Sequence, residues 1–302
     1  KVGYTIFMKK ISKKENKKSI EKKSDFAIRH LGFLPEEITP DQWVLGANTK
    51  IAGLKLMPGG HGWKKFLPLE ELQHRNNFES MNCSNYGTLN CWETLALLVF
   101  GIQFNWSERY TGVGSGTTKN GNYPHQVAEV IRNDIGLIDE TILPFGPDIN
   151  TWEKYYFPSP LPPALIAQGR LFLQKYKLGH DWVFVKGSLK EKQDKIKEAL
   201  EYSPLGVSVL AWKERKGKMW KDVGENDNHW CMLYDFVEGK EWHIFDHYDD
   251  THKILEWDYD FGYVKRYSIE VNREEPKNWL LEILKNIGAF IKGVLIARPA
   301  SE

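Results

Sequence analysis

Three side chains lying far apart in the chain could together perform nucleophilic acyl transfer: Cys83, His229 and Asp246. A thiolate is a competent nucleophile, but it needs a base or cation beside it, and an imidazole in that role needs its second ring nitrogen held by an acceptor. Cys83 opens the run Cys83-Ser84-Asn85-Tyr86-Gly87-Thr88-Leu89-Asn90-Cys91-Trp92-Glu93, His229 begins a strand-like run and Asp246 follows another, so a fold can collect the three. Residue types alone leave a structural reading open, because free cysteine is among the most buried residue types.

The elements that must position these residues are legible in the periodicity. Tyr86, Leu89, Trp92, Leu95, Ala96 and Val99 recur at three- and four-residue spacing, which predicts a helix over about 84–99 that Gly101 stops. Cys83 then stands at its N-terminus, where the helix dipole and unpaired N–H groups favour an anion, so a partly exposed thiol with a depressed pKa is expected. A second helix is expected over 124–133 and a charged amphipathic one over 188–202. Strands are expected over 182–185, 206–211, 229–236 and 241–245, the last two joined at Glu238-Gly239-Lys240.

A mainly helical first half and a mainly sheet second half make an α+β protein of two lobes. The chain divides into a basic tail (1–23), an irregular lead-in (24–65), a helical lobe with the nucleophile (66–163), a β-rich lobe with the histidine and acid (164–270) and a C-terminal amphipathic helix (271–302). The lead-in carries Phe33, Leu34, Trp43, Leu54 and Leu56, and is expected to lie across the body and cover part of a cleft.

At 302 residues, 41% apolar and 13% aromatic, the chain is globular in composition. Its net charge of +1 hides nine lysines within residues 1–23, a run suited to a solvated tail or to contact with nucleic acid or an anionic surface. Three cysteines, Cys83, Cys91 and Cys231, argue against a disulfide framework and for a reducing compartment, cytoplasmic or virion-associated. No signal-peptide pattern or membrane-length apolar run occurs, which predicts a soluble protein. His243, Asp246, His247, Asp249 and Asp250 offer ligand types suited to zinc, but strand alternation sends His243 and Asp246 to opposite faces, so no metal or other cofactor is expected.

Several separate segments resemble the papain-like cysteine peptidases, and they occur in that family's order. The family's C-W-A-F-S-A motif with a glutamate ten residues after the cysteine resembles Cys83, Tyr86, Gly87 and Glu93. Its L-S-E-Q is similar to Trp106-Ser107-Glu108-Arg109, and its cleft segment N-G-G-Y-P to Asn120-Gly121-Asn122-Tyr123-Pro124. The pattern G-I-x-x-E-x-x-Y-P-Y is echoed over residues 136–145. Segments of the type G-P-V-S-V and N-H-A-V-x-x-V-G-Y resemble residues 205–209 and 228–236, and K-N-S-W-G corresponds to Phe245-Asp246-His247-Tyr248-Asp249.

The resemblance covers roughly residues 66–270. It implies a papain-like fold, with a helical lobe and an antiparallel β-barrel-like lobe meeting at a cleft for an extended peptide, and a Cys83–His229–Asp246 triad acting through a thioester. Asp246 stands where the family usually has Asn, and Asp can accept the same imidazole N–H. The oxyanion donor, a Gln six residues before the nucleophile in the family, falls on Asn77, or on Gln73 if an insertion intervenes. Asn122 replaces a cleft glycine and Tyr248 the tryptophan that shields the triad; with Asn120, Gly121, Tyr123, Pro124 and Asn228 they form the expected substrate-binding set. Spacing places Cys91 inside the helix rather than at the nucleophile position, and Cys231 reads as packing.

A cysteine peptidase acting on peptide or protein is therefore the leading expectation. Its rivals are a transglutaminase- or amidase-like acyl transferase and a catalytically silent papain-fold binding, virion or assembly protein.

Overall fold

The computed structural model describes residues 32–45, 53–222, 226–248 and 250–272. The basic tail and the C-terminal amphipathic helix expected from the sequence lie outside them. In chain order the principal elements are strands β1 (His74–Arg75) and β2 (Phe78–Glu79), then helices α1 (Cys83–Phe100), α2 (Glu108–Gly114), α3 (Pro124–Val130), α4 (Trp152–Tyr155) and α5 (Pro163–Lys175). The second half contributes β3 (Tyr176–Trp182), α6 (Leu189–Leu200), β4 (Leu205–Val209), β5 (Arg215–Lys216), β6 (Met219–Trp220), β7 (His229–Val237), β8 (Glu241–Phe245), β9 (His252–Glu256) and β10 (Val264–Val271).

Helix α1 is the axis of the molecule. It is buried almost all round, and it ends where Gly101, in the left-handed conformation, turns its N–H back to the Leu97 carbonyl. By contrast α6 buries one stripe, and its start is fixed by a capping box between Ser188 and Glu191. Helix α3 stops at Val130, and one wider turn carries the chain to Ile135, where Gly136 N–H bonds the Ile131 carbonyl.

Eight strands form one sheet in the order β3-β10-β4-β7-β8-β9-β6-β5, antiparallel except for β6 beside β9. Strands β3 and β5 are its two edges, so the sheet does not close, and the barrel-like part of the expectation becomes an open sheet. Strand β3 runs over 176–182 rather than 182–185. The largest apolar core among the described residues joins residues of α1, α2 and α3 to residues of β4, β7, β8 and β10.

The helix meets the sheet closely at one point. A Cβ on Gly87 would lie 2.7 Å from Trp230 Cδ1 and 3.1 Å from the Trp230 carbonyl oxygen, so glycine there lets α1 seat directly on β7. Cys83 is one turn away.

The lead-in crosses both lobes. On the helical side Asn122 N–H donates to Gly32 O at 2.9 Å and Leu34 N–H to Asn122 O at 3.1 Å; on the sheet side Leu45 N–H donates to Trp182 O at 2.7 Å and Trp182 N–H to Trp43 O at 2.8 Å.

Candidate active site

Cys83 is the first residue of α1 and is completely buried. It packs with Phe33, Trp182 and Trp230, and the backbone N–H of Trp230, the residue after His229, favours its thiolate. His229 begins β7 and Asp246 follows β8, and pairing of these neighbouring strands brings the two together: His229 Nε2 lies 2.6 Å from Asp246 Oδ1. That contact occupies one ring nitrogen. The other, Nδ1, is buried and has no hydrogen-bond partner among the described residues.

The two oxyanion candidates part company. Residues 76 and 77 form the two-residue turn of the hairpin β1–β2, both at positive φ (57° and 56°), the conformation for which asparagine is favoured. Asn77 is therefore at an exposed tip. Gln73, ahead of the hairpin, is fully buried and donates its own N–H to the His247 carbonyl at 2.7 Å. Its side-chain amide donates to Glu79 Oε1 at 2.7 Å. The hairpin lies between Gln73 and Cys83 in the chain.

On the helical wall, Asn122 faces the lead-in through its backbone alone. Its side chain turns away, donating to the Ser115 carbonyl at 3.1 Å, which is how asparagine fits where the resembled motif has glycine. Gly121 (φ +100°) touches the lead-in so closely that a Cβ there would lie 2.0 Å from Gly32 O. Asn120 is exposed in the preceding turn, Tyr123 is 38% exposed, and Pro124 is the buried first residue of α3. Asn228 accepts Ala211 N–H at 2.9 Å, and the Tyr248 ring stands edge-on to His229 at 6.3 Å.

Among solved structures, digestive procathepsin L 3 of Tenebrio molitor larval midgut superposes with a TM-score of 0.52 at 13% identity, over 79% of this chain and 76% of its own. The fold is papain-like. The bromelain protease of Ananas comosus in complex with the E64 inhibitor aligns over 70% of this chain and 98% of its own, with 14% identity and a TM-score of 0.49. Neither a protein-family model nor a curated protein sequence matches the chain.

The electrostatics differ from the sequence expectation at Cys83. Burial pushes the Cys83 thiol well above the usual thiol range, and the Trp230 N–H offsets only part of that. Phe33, in the same buried cluster as Cys83, Trp182 and Trp230, is 1% exposed and stacks on Trp230 at 5.8 Å. For Asp246, burial alone would raise the pKa, but the charge and hydrogen bond of His229 and the charge of Lys253 outweigh it and hold the carboxyl below its usual range. His247 is buried against the Tyr86 ring at 5.1 Å, and burial together with His229 keeps it neutral.

Two site residues had no signal in the sequence. Trp212, in the loop after β4, donates its indole N–H to Asp246 Oδ2 at 2.9 Å, and Lys253 places its ammonium 2.8 Å from the same oxygen. His243, expected on the opposite face from Asp246, bonds Glu241 at 2.9 Å instead. Cys91 and Cys231 are both buried in the core.

Proposed function

We propose that this chain is a cysteine peptidase of the papain-like fold that cleaves peptide bonds by acyl transfer. The Cys83 sulfur attacks the scissile carbonyl, His229 delivers its proton to the departing amine as the C–N bond breaks, and water then hydrolyses the Cys83 thioester. Asp246 orients His229. The Gln73 side-chain amide and the Cys83 backbone N–H are the oxyanion donors, worth about 10²–10³ in rate if each acts as such donors generally do.

The observation that carries this reading is the occupant of the cleft. An extended stretch of the chain itself, Gly32 to Leu34, is backbone-paired to Asn122 with Phe33 against Cys83, so the groove beside the thiol accepts extended polypeptide. In the same reading residues 32–45 hold the enzyme inactive until displaced or cut.

The test is to free the cleft by limited proteolysis of the lead-in, add an epoxide-type thiol probe, and map the modified peptide while following hydrolysis of a protein substrate. Labelling at Cys83 and hydrolysis, both lost in Cys83→Ala, are expected. Transfer to an added amine in place of hydrolysis would make the protein an acyl transferase. An unlabelled Cys83 in the freed protein would refute catalysis and leave a binding cleft.

A further inference from the structure

The group that receives the imidazole is not a lone carboxylate. Asp246 gives Oδ1 to His229, and its Oδ2 receives both the Trp212 indole N–H and the Lys253 ammonium. Lys253, on β9, is 3% exposed; its ammonium also donates to the Asp250 carbonyl and lies 5.0 Å from the centre of the Trp212 ring. Among the described residues, titratable groups that act on His229, Asp246 or Lys253 include Cys83 from α1, Glu79 from β2, Cys231 from β7 and His247 from the turn between β8 and β9. Lys253 supplies the ammonium in contact with the carboxylate.

We propose that Lys253 is a positioning residue of the triad: it cancels the charge of Asp246, so that the pair presents a neutral acceptor that orients His229 without locking it as imidazolium. A carboxylate and an ammonium in contact carry no net charge, and where water is excluded a lone carboxylate would act on the ring with its full charge. The inference rests on the peptidase reading, in which His229 must give up its proton to the leaving amine. An uncompensated Asp246 would hold that proton too firmly; the neutral pair releases it. This also accounts for an acid at a position where the resembled family carries an amide, since acid and base together supply the neutral acceptor that Asn supplies alone.

The test compares Lys253→Met, Asp246→Asn and the double variant with the parent. The readout is an NMR titration of the His229 ring in isotope-labelled protein, which requires no turnover. Lys253→Met should raise the ratio of imidazolium to imidazole at fixed pH by at least about tenfold, and Asp246→Asn, which leaves the ammonium unopposed, should lower it by a similar factor. The double variant should return to within about threefold of the parent, because the two changes touch one pair and do not add. If Lys253→Met fails to fold, Asp246→Asn and the double variant still decide. A ring titration unmoved by loss of the ammonium, or a double variant displaced as far as either single one, would overturn the proposal. Failure of the peptidase reading looks different: the titrations shift as described, but no peptide is cleaved.

Discussion

Phe33→Ala should open the cleft without unfolding the protein. Phe33 is 1% exposed, stacks on Trp230 at 5.8 Å with rings 10° apart, and leans on Tyr263 at 5.6 Å; both partners belong to the body, not to the lead-in. Removing a buried phenylalanine ring costs about 3–5 kcal/mol, and here the loss falls on closure of the lead-in over Cys83. With the lower figure of about 3 kcal/mol, the open population rises about 10²-fold, since each 1.4 kcal/mol is a factor of ten. A small thiol reagent used under native conditions reads that population directly, because modification proceeds from the open form. Cys91 and Cys231 serve as internal controls, being buried in the core rather than under the lead-in. Cys83 should therefore react about 10² times faster in the variant while the other two stay protected. An unchanged Cys83 rate, or equal acceleration at all three cysteines, would refute the idea that Phe33 is the cover.

Cys91→Ser should leave Cys83 labelling intact and cost about 1–3 kcal/mol in denaturant titration, because its hydroxyl replaces a thiol in an apolar setting. Gly87→Ala, forcing a methyl to within 2.7 Å of Trp230, should cost about 1–3 kcal/mol and slow labelling of Cys83 in the freed protein by moving β7 from the head of α1. Glu140 is pushed up to about 7, chiefly by burial, with Glu71 adding to the rise. A raised carboxyl stabilises the fold fully below its unfolded value of 4.5 and loses that contribution as pH rises through 7. The Tm difference, Glu140→Gln minus parent, should thus grow more positive from pH 5 to pH 8; a constant difference would argue against the buried acid.

The sequence exposed those parts of the fold whose burial follows a simple period. Helix α1, helix α6 and strands β4, β7 and β8 all fall close to where their apolar spacing puts them, and β8 agrees residue for residue. Strand β3 was hidden because Lys177, Gly179, His180 and Asp181 are poor strand formers; Asp181 is buried with the Arg266 guanidinium at 2.8 Å, a partner 85 residues away. The same distance problem hid Lys253, which is one lysine among many until β8 and β9 pair. Gln73 could be preferred over Asn77 only once the asparagine pair was seen to form a hairpin turn, a feature that spacing counts as ordinary chain. The thiol expectation missed for a tertiary reason as well: helix position favours the anion, but the cover over Cys83 excludes the water that would solvate it.

The strap from Gly32 to Leu45 is covalently part of the molecule whose cleft it fills. Its occupancy is unimolecular, so dilution cannot release it, and any rival peptide competes against a local concentration on the order of millimolar. A single cut anywhere between the strap and the body changes that arithmetic: the same contacts then become a bimolecular complex, and the cut protein loses its occupant as it is diluted. Activity that appears on dilution of nicked protein, but not of intact protein, would be the signature of that change in molecularity.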